Sequence, residues 1–307
     1  IATAPESPTF SRTVLTLPTT LQLGTIYEIT VSDSVRDCVG NMVGAENIAI
    51  FAIPEWPEAK DVVINEILSN PKENGEDFIE LYNRSEKVID LKDLRISNFD
   101  TIAQMTENVE DIAPDGFLFF PGEYLVLTES PEAVKGDYDT PNPKGFVQVA
   151  DMPTFTNSDD EVAISDSLGG LIDWVYYSDD MHFALLEDLD GVSLERLSPE
   201  RESNDKTNWH SAAEDVGFAT PAYENSQFNA VVQEESPITV EPEIFSPDND
   251  GYQDVLNITY EFDQPGFVAN VTVYDGRGRL IKNLARNKLL GTRGTMSWDG
   301  INEESQK

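Results

Sequence analysis

The sequence predicts an all-β chain built from several units in tandem. Short runs of β-branched and aromatic residues alternate with polar ones, as in Ile26-Tyr27-Glu28-Ile29-Thr30-Val31. That period of two puts alternate side chains on opposite faces of a strand. Glycine, asparagine and proline interrupt these runs, so turns follow one another and helix is scarce. Finally, the 307 residues exceed one small domain, and at roughly 100 to 150 residues per domain two or three units are expected, with three as our reading.

In chain order, Val14-Leu15-Thr16-Leu17 and Ile26–Val31 read as strands joined through Gly24 and Gly40-Asn41. Pro54-Glu55-Trp56-Pro57-Glu58 then reads as an extended acidic connector, because each proline lacks a donor and holds its predecessor extended. Strand patterns resume at Val62–Leu68, an apolar run holding Asn65 and Glu66. They continue at Phe78–Tyr82, Tyr124–Leu127, Val162–Ile164 and Ile172–Tyr176. One helical turn is predicted at Ser130–Lys135, with Ser130 as cap and Pro131 at the first helical position. A second connector spans Val231-Val232-Gln233-Glu234-Glu235-Ser236-Pro237, and strands follow to Lys307. The units share strand grammar without a short repeat, which excludes a solenoid.

Several segments carry resemblances. Val62-Val63-Ile64-Asn65-Glu66-Ile67, Asp77–Asn83, Val88-Ile89-Asp90-Leu91, Phe120–Leu127, Gly191–Arg196, Asn208-Trp209, Gly217, Thr220-Pro221 and Asn225-Ser226 resemble a lamin tail domain. The resemblance implies a binding sandwich rather than a catalytic fold. Leu23–Val31 with Asp37-Cys38-Val39-Gly40-Asn41 resembles the last half of a bacterial immunoglobulin-like domain of surface-layer proteins. Asn257–Tyr260, Val271–Asp275, Gly278–Lys282 and Trp298-Asp299-Gly300 resemble the immunoglobulin-like module named for flagellar hook scaffolding proteins. The implied fold is therefore a set of tandem β-sandwich, immunoglobulin-like domains with a central lamin-tail-like sandwich. Residues 1–56 form a partial unit, 57–230 the sandwich and 231–307 a truncated unit. The third resemblance also implies export and anchoring in a Bacteroidetes-type surface protein, so a secreted or cell-surface location is expected. The chain opens on Ile1, and the signal for export, like the missing strands of both outer units, is expected outside it.

Charge and composition narrow the partners. Asp and Glu number 57 against 20 Lys and Arg, a formal charge of −37, and a phosphate backbone meeting that field is repelled. Nucleic acid is thus not expected as a partner, although the lamin-tail resemblance alone would suggest it. No apolar run approaches the roughly 20 residues of a membrane span. Cys38, the single cysteine, has no internal partner for a disulfide and reads as a buried structural thiol.

Chemistry is sought in four places. The first is Pro247-Asp248-Asn249-Asp250-Gly251-Tyr252-Gln253-Asp254. There Asp248, Asp250 and Asp254 would give carboxylates and Tyr252 a carbonyl to Ca2+, Gly251 allowing the bend. The loop departs from an EF-hand in the place of its glycine and in lacking the closing glutamate, and the competing reading is a polar turn. Asp159-Asp160-Glu161, Asp179-Asp180 and Glu187-Asp188 with Asp190 read as solvated loops, with 179–190 the preferred segment should one of them bind a metal.

Second, His182 and His210 are the only histidines, and neither lies in a catalytic motif; a packing or surface role is expected of His210, and His182 is expected to be partly buried rather than catalytic. Third, Glu66 and Glu80 lie on strands that the family match makes neighbours, and are expected to bond main-chain amides or to pair with Arg84 or Arg196. Fourth, alternation puts Trp174 and Tyr176 on one strand face and Tyr177 on the other, so that Trp174 and Tyr176 are candidates for stacking on a sugar. Gly276-Arg277-Gly278 reads as a hairpin turn, since no helix follows it to cradle phosphate. Asp100-Thr101-Ile102 and Asp166-Ser167-Leu168 resemble the O-glycosylation sites of that bacterial group. The expected function is a non-catalytic, extracellular structural or adhesive surface protein, calcium-stabilised, joined to neighbouring domains and offering a glycan or protein ligand surface. The alternative is the accessory carbohydrate-binding region of a secreted hydrolase, and a weaker one makes the middle unit an enzyme.

Overall fold

The computed structural model describes residues 14, 16–17, 19–32, 34–37, 39–42, 44, 47–184, 186, 188–228, 237–242, 244–248, 251–275 and 279–303. Cys38, Glu187, Asp250, the Gly276-Arg277-Gly278 turn and the connector residues 231–236 lie outside them. Within them the chain is nearly all β.

Among its described residues the first unit shows one antiparallel strand pair, β1 (Tyr27–Thr30) against β2 (Ile48–Phe51), with Tyr27 and Phe51 stacked at 5.5 Å. Val14, Thr16 and Leu17 belong to no strand, which corrects the expectation for that run. Among the described residues no second layer covers the apolar alternation, and Leu23, Ile26, Ile48 and Ile50 are exposed. The connector after β2 is not free: Glu55 donates its amide to the Val88 carbonyl at 2.7 Å, and Pro57 is buried.

The middle unit holds the core. Its strands are β3 (Val62–Leu68), β4 (Phe78–Asn83), β5 (Ile89–Asp90), β6 (Leu94–Asp100), β7 (Met105–Asp111), β8 (Leu118–Phe119), β9 (Tyr124–Thr128), β10 (Phe146–Gln148), β11 (Asp159–Asp166), β12 (Leu171–Ser178), β13 (Leu194–Arg196) and β14 (Trp209–Ser211). A six-stranded sheet runs β10-β9-β4-β3-β13-β14, a four-stranded sheet runs β12-β11-β6-β7, and β5 pairs with β8. Val62, Ile64, Leu81 and Leu127 from the first sheet meet Leu94, Ile96, Val162, Ile164, Val175 and Tyr177 from the second, with Trp209 among them. The far-apart segments at Val62 and Gly191 do come together, since β13 pairs with β3 through Leu194 opposite Ile67 and Glu195 opposite Glu66.

Every residue of β3 is buried, because the six-stranded sheet is covered on both sides. On the outer side, Leu68, Phe78, Val126, Val134, Tyr138, Ala219 and Ala222 form a smaller apolar cluster, built with α1 (Pro131–Asp137) and the returning segment 217–228. Helix α1 has Pro131 at its start as expected, but the Ser130 side chain makes no capping bond. A bulge makes this possible: Ile64 faces Leu81 while Glu66 faces Glu80, leaving Asn65 as the extra residue. The bulge returns Ile67 to the inner core and turns Glu66 outward.

The third unit has a three-stranded sheet, β15 (Ile238–Glu241), β16 (Leu256–Glu261) and β19 (Arg293–Trp298), and a pair, β17 (Val268–Tyr274) with β18 (Leu280–Leu289). It sits directly on the middle unit. Thr292 donates its amide to the Ser226 carbonyl at 2.9 Å and its hydroxyl to the Phe228 carbonyl at 2.6 Å. Tyr260 donates its hydroxyl to Asp215 at 2.5 Å, and Arg293 pairs with Glu224. Gly291 is required there, since a Cβ would lie 2.5 Å from the Ser226 carbonyl.

Candidate functional site

Register places Glu80, Glu66 and Glu195 side by side across β4, β3 and β13, where paired residues share a face. All three are fully buried on the outer face. Their partners lie mainly on the 217–228 segment. Glu66 accepts the Ser193 hydroxyl at 2.5 Å and the Thr220 amide at 2.8 Å. Glu80 accepts the Ala222 amide at 2.6 Å and the Asn65 side-chain amide at 2.8 Å. Glu195 accepts the Ser226 hydroxyl and the Gln227 amide, both at 2.8 Å. Asn225 finishes the clasp by donating to the Asn65 and Arg196 carbonyls at 3.0 and 2.8 Å.

Main-chain amides do bond Glu66 and Glu80, as expected. Pairing with Arg84 or Arg196 is corrected, because Arg84 pairs with Glu200 and Arg196 with Asp173. Among the described residues no lysine or arginine bonds any of the three glutamates. Burial therefore pushes Glu66 up to about 8, with Glu195 adding repulsion, and raises Glu195 and, well above the usual range, Glu80.

Arg196 belongs to a second buried cluster at the sheet end. Its guanidinium donates to the Ile64 carbonyl at 2.7 Å, to Ser203 at 2.9 Å and to Asp173 at 3.2 Å. Asp173 also accepts the Ile64 amide, the Ser203 hydroxyl and Lys60, at 2.9, 2.6 and 2.7 Å. Arg196 meets an opposite charge and further acceptors, and Asp173 an opposite charge and further donors, the condition under which ion pairs persist in a core.

Trp174 and Tyr176 lie half-buried on the outward face of β12, and Tyr177 points into the core, as alternation predicts. Trp174 packs on Phe99 with ring centres 4.9 Å apart, and Lys206 lies over Tyr176. Asn204 bonds the backbone at both positions, donating to the Trp174 carbonyl at 3.0 Å and accepting the Tyr176 amide at 2.8 Å. Beside Trp174 is a cleft of about 270 Å³ whose lining includes Lys60, Glu202, Ser203 and Asn204.

His182 Nδ1 lies 2.9 Å from the Ser211 hydroxyl, the spacing of a base and nucleophile pair. That hydroxyl is fully buried and already accepts the Phe183 amide at 2.9 Å. Burial, with His210 beside it, holds His182 down at about 4, and burial lowers His210 too. The geometry is that of a packed polar contact.

At the expected calcium loop, Asp254 accepts the Gly251 amide at 2.9 Å and Asp248 the Ser246 hydroxyl at 3.3 Å, while Tyr252 is exposed. No group of three His, Cys, Asp or Glu is placed to hold a metal among the described residues. Thr101 and Ser167 both occupy exposed hairpin tips, where Asp100 and Asp166 accept the amides of Ile102 and Leu168 at 2.7 and 2.8 Å.

The family model of the lamin tail domain, an immunoglobulin-like β-sandwich, matches residues 57–179. The middle unit is thus similar to lamin tail domains over the strands from β3 to β12. The matched stretch ends before β13 and β14, which complete the same sheet, and before the Thr220–Ser226 clasp that covers it. Among solved structures the chain is similar to a DUF4876 family protein from Bacteroides thetaiotaomicron, at 11% identity and a TM-score of 0.32, covering 58% of this chain and 70% of that one. No curated protein matches the chain.

Glu195, Thr220, Asn225 and Ser226 lie in the segments that carry the lamin-tail resemblance, but nothing local in the sequence assigns them a task. The signal that would have found them is a set of glutamates at outward parity within otherwise apolar strands, followed by a donor-rich tail.

Proposed function

We propose that this chain is a non-catalytic structural region of an extracellular bacterial protein, secreted or held at the cell surface. In it a lamin-tail-like sandwich, flanked by immunoglobulin-like units of surface-layer and hook-scaffold type, spaces and displays the rest of a longer polypeptide. The observation that carries this reading is the joint of Ser226, Phe228 and Thr292, with Tyr260 on Asp215. Adjacent domains move relative to one another unless their interface is extensive, and this joint restrains that motion. Small-angle scattering of the full chain tests it. A single compact arrangement that loosens when Thr292→Val removes the hydroxyl bond supports a spacer, whereas freely moving units in the unmodified chain would refute it. Hydrolysis of an ester, phosphate or glycoside, lost on changing His182 or His210, would overturn the non-enzymatic part. On the same reading a calcium ion would stiffen the 247–254 loop. A calcium-dependent rise in melting temperature, abolished by Asp254→Ala, tests that addition.

A second reading has one specific observation in its favour: Trp174 and Tyr176 face outward, and Trp174 lines a cleft that also holds Lys60, Glu202, Ser203 and Asn204. Aromatic faces with flanking hydrogen-bonding groups suit a polysaccharide, as in an accessory region of a secreted hydrolase. Glycan-array binding that disappears on Trp174→Ala supports this reading; binding that survives the change rejects it.

A further inference from the structure

We infer that the Glu66, Glu80 and Glu195 row is a proton-held clamp: it keeps at least one proton at neutral pH, and losing that proton frees the 217–228 segment and undocks the third unit. Hydrogen counting carries the first half. Thr220 Oγ1 lies 3.2 Å from Glu66 Oε2 and 2.7 Å from Glu195 Oε1. A threonine hydroxyl has a single hydrogen. It donates in full to only one of these carboxyls, the nearer Glu195, and a proton on Glu66 lets it accept from the other. Donation from Glu66 Oε2 to Thr220 and from Thr220 to Glu195 Oε1 satisfies the whole set. Glu66 Oε1 remains an acceptor for Ser193 and the Thr220 amide. The Phe218 carbonyl, also near the Ser193 hydroxyl, already accepts the Ser193 amide at 2.9 Å.

Among the described residues the surroundings offer no counter-charge inside the row. Tyr223 faces it from the segment, Tyr138 from the end of α1 and Tyr124 from β9. His210 on β14 stands opposite Glu195, and burial disfavours its charged form. Lys72 lies over the Tyr138 ring, and Arg293 of the third unit is paired with Glu224. Ionising the last shared carboxyl would therefore place like charges on adjacent strands in a fully buried layer.

The second half follows from shared residues. Ser226 and Gln227 are held by Glu195, and the carbonyl of Ser226 receives Thr292. Opening the clamp thus removes the backbone on which the third unit docks. This stands on the joint's geometry and holds whether or not the chain serves as a spacer.

The test is a pH series on the full chain from about pH 5 to about pH 9. Because the folded state holds the proton more tightly, its population advantage falls as pH rises, by up to about tenfold per pH unit for each proton released. Hydrogen exchange at the Thr220, Ala222 and Gln227 amides should accelerate beyond the general base-catalysed rise, and the maximum dimension in solution scattering should grow with it. In Glu66→Gln, whose amide donates to Thr220 at every pH, both responses should flatten. Stability that is constant or rises over this range, or an unchanged response in Glu66→Gln, overturns the clamp. Opened amides without a change in dimension overturn the undocking. Should Glu66→Gln not fold, difference infrared spectroscopy of the unmodified chain decides: a protonated-carboxyl band at neutral pH that titrates away with the exchange supports the clamp, and its absence at neutral pH refutes it.

Discussion

The two faces of the six-stranded sheet hold the middle unit together by different physics. Toward the second sheet, Ile64, Leu81 and Leu127 bury hydrocarbon against hydrocarbon, an attraction without direction that tolerates small shifts. Toward the 217–228 segment, Glu66, Glu80 and Glu195 hold named amides and hydroxyls, and a displaced partner leaves a buried carboxyl unmet. A β-bulge at Asn65 lets one strand serve both faces. The comparison teaches that the apolar face supplies bulk stability, and the polar face fixes where the chain returns.

The largest effect is expected where charge is most deeply buried. Asp173→Ala strands Arg196 and should cost about 3 to 5 kcal/mol, read as a lower denaturant midpoint at unchanged slope. On the apolar face, Leu81→Ala should cost about 2 to 5 kcal/mol; a loss under about 1 kcal/mol would break the assignment of bulk stability to that face. On the polar face, Thr220→Val removes the hydroxyl between two carboxyls and should cost about 1 to 3 kcal/mol.

The faces should also separate by pH. Glu66, raised from 4.5 to about 8, contributes stability that is complete below 4.5 and lost as pH climbs through about 8. The melting temperature should therefore fall over that window in the unmodified chain, and Leu81→Ala should shift the curve without changing its slope. The smallest effect is expected at the surface, where Trp174→Ala removes its contact with Phe99 at about 0.5 to 1.5 kcal/mol.

Apolar periodicity made most of the strands legible. Ile172-Asp173-Trp174-Val175-Tyr176-Tyr177 shows its inward and outward faces directly, and the fold places Tyr177 and Trp174 as that pattern requires. The clasp was less legible. Glu66 and Glu80 were readable as amide-bonding groups, but their partners stand 154 and 142 residues away, and no local pattern encodes a contact that distant. Val14, Thr16 and Leu17 misled for the opposite reason: alternation marks a strand only where a neighbour pairs with it, and none of the described residues does. The docked third unit was hidden because its joint uses carbonyls of Ser226 and Phe228, which every residue type possesses.

The Thr292 joint joins surfaces that belong to one chain. Phe228 and Ile238, at either side of the connector, are close in sequence, so the two units meet at an effective concentration on the order of millimolar rather than at that of separate molecules. Hydrogen bonds contributing about 1 kcal/mol each can then keep the pair closed most of the time, although the same surfaces on separate proteins would scarcely associate. Cutting the connector should therefore release a partner that no residue in the joint had been changed to weaken.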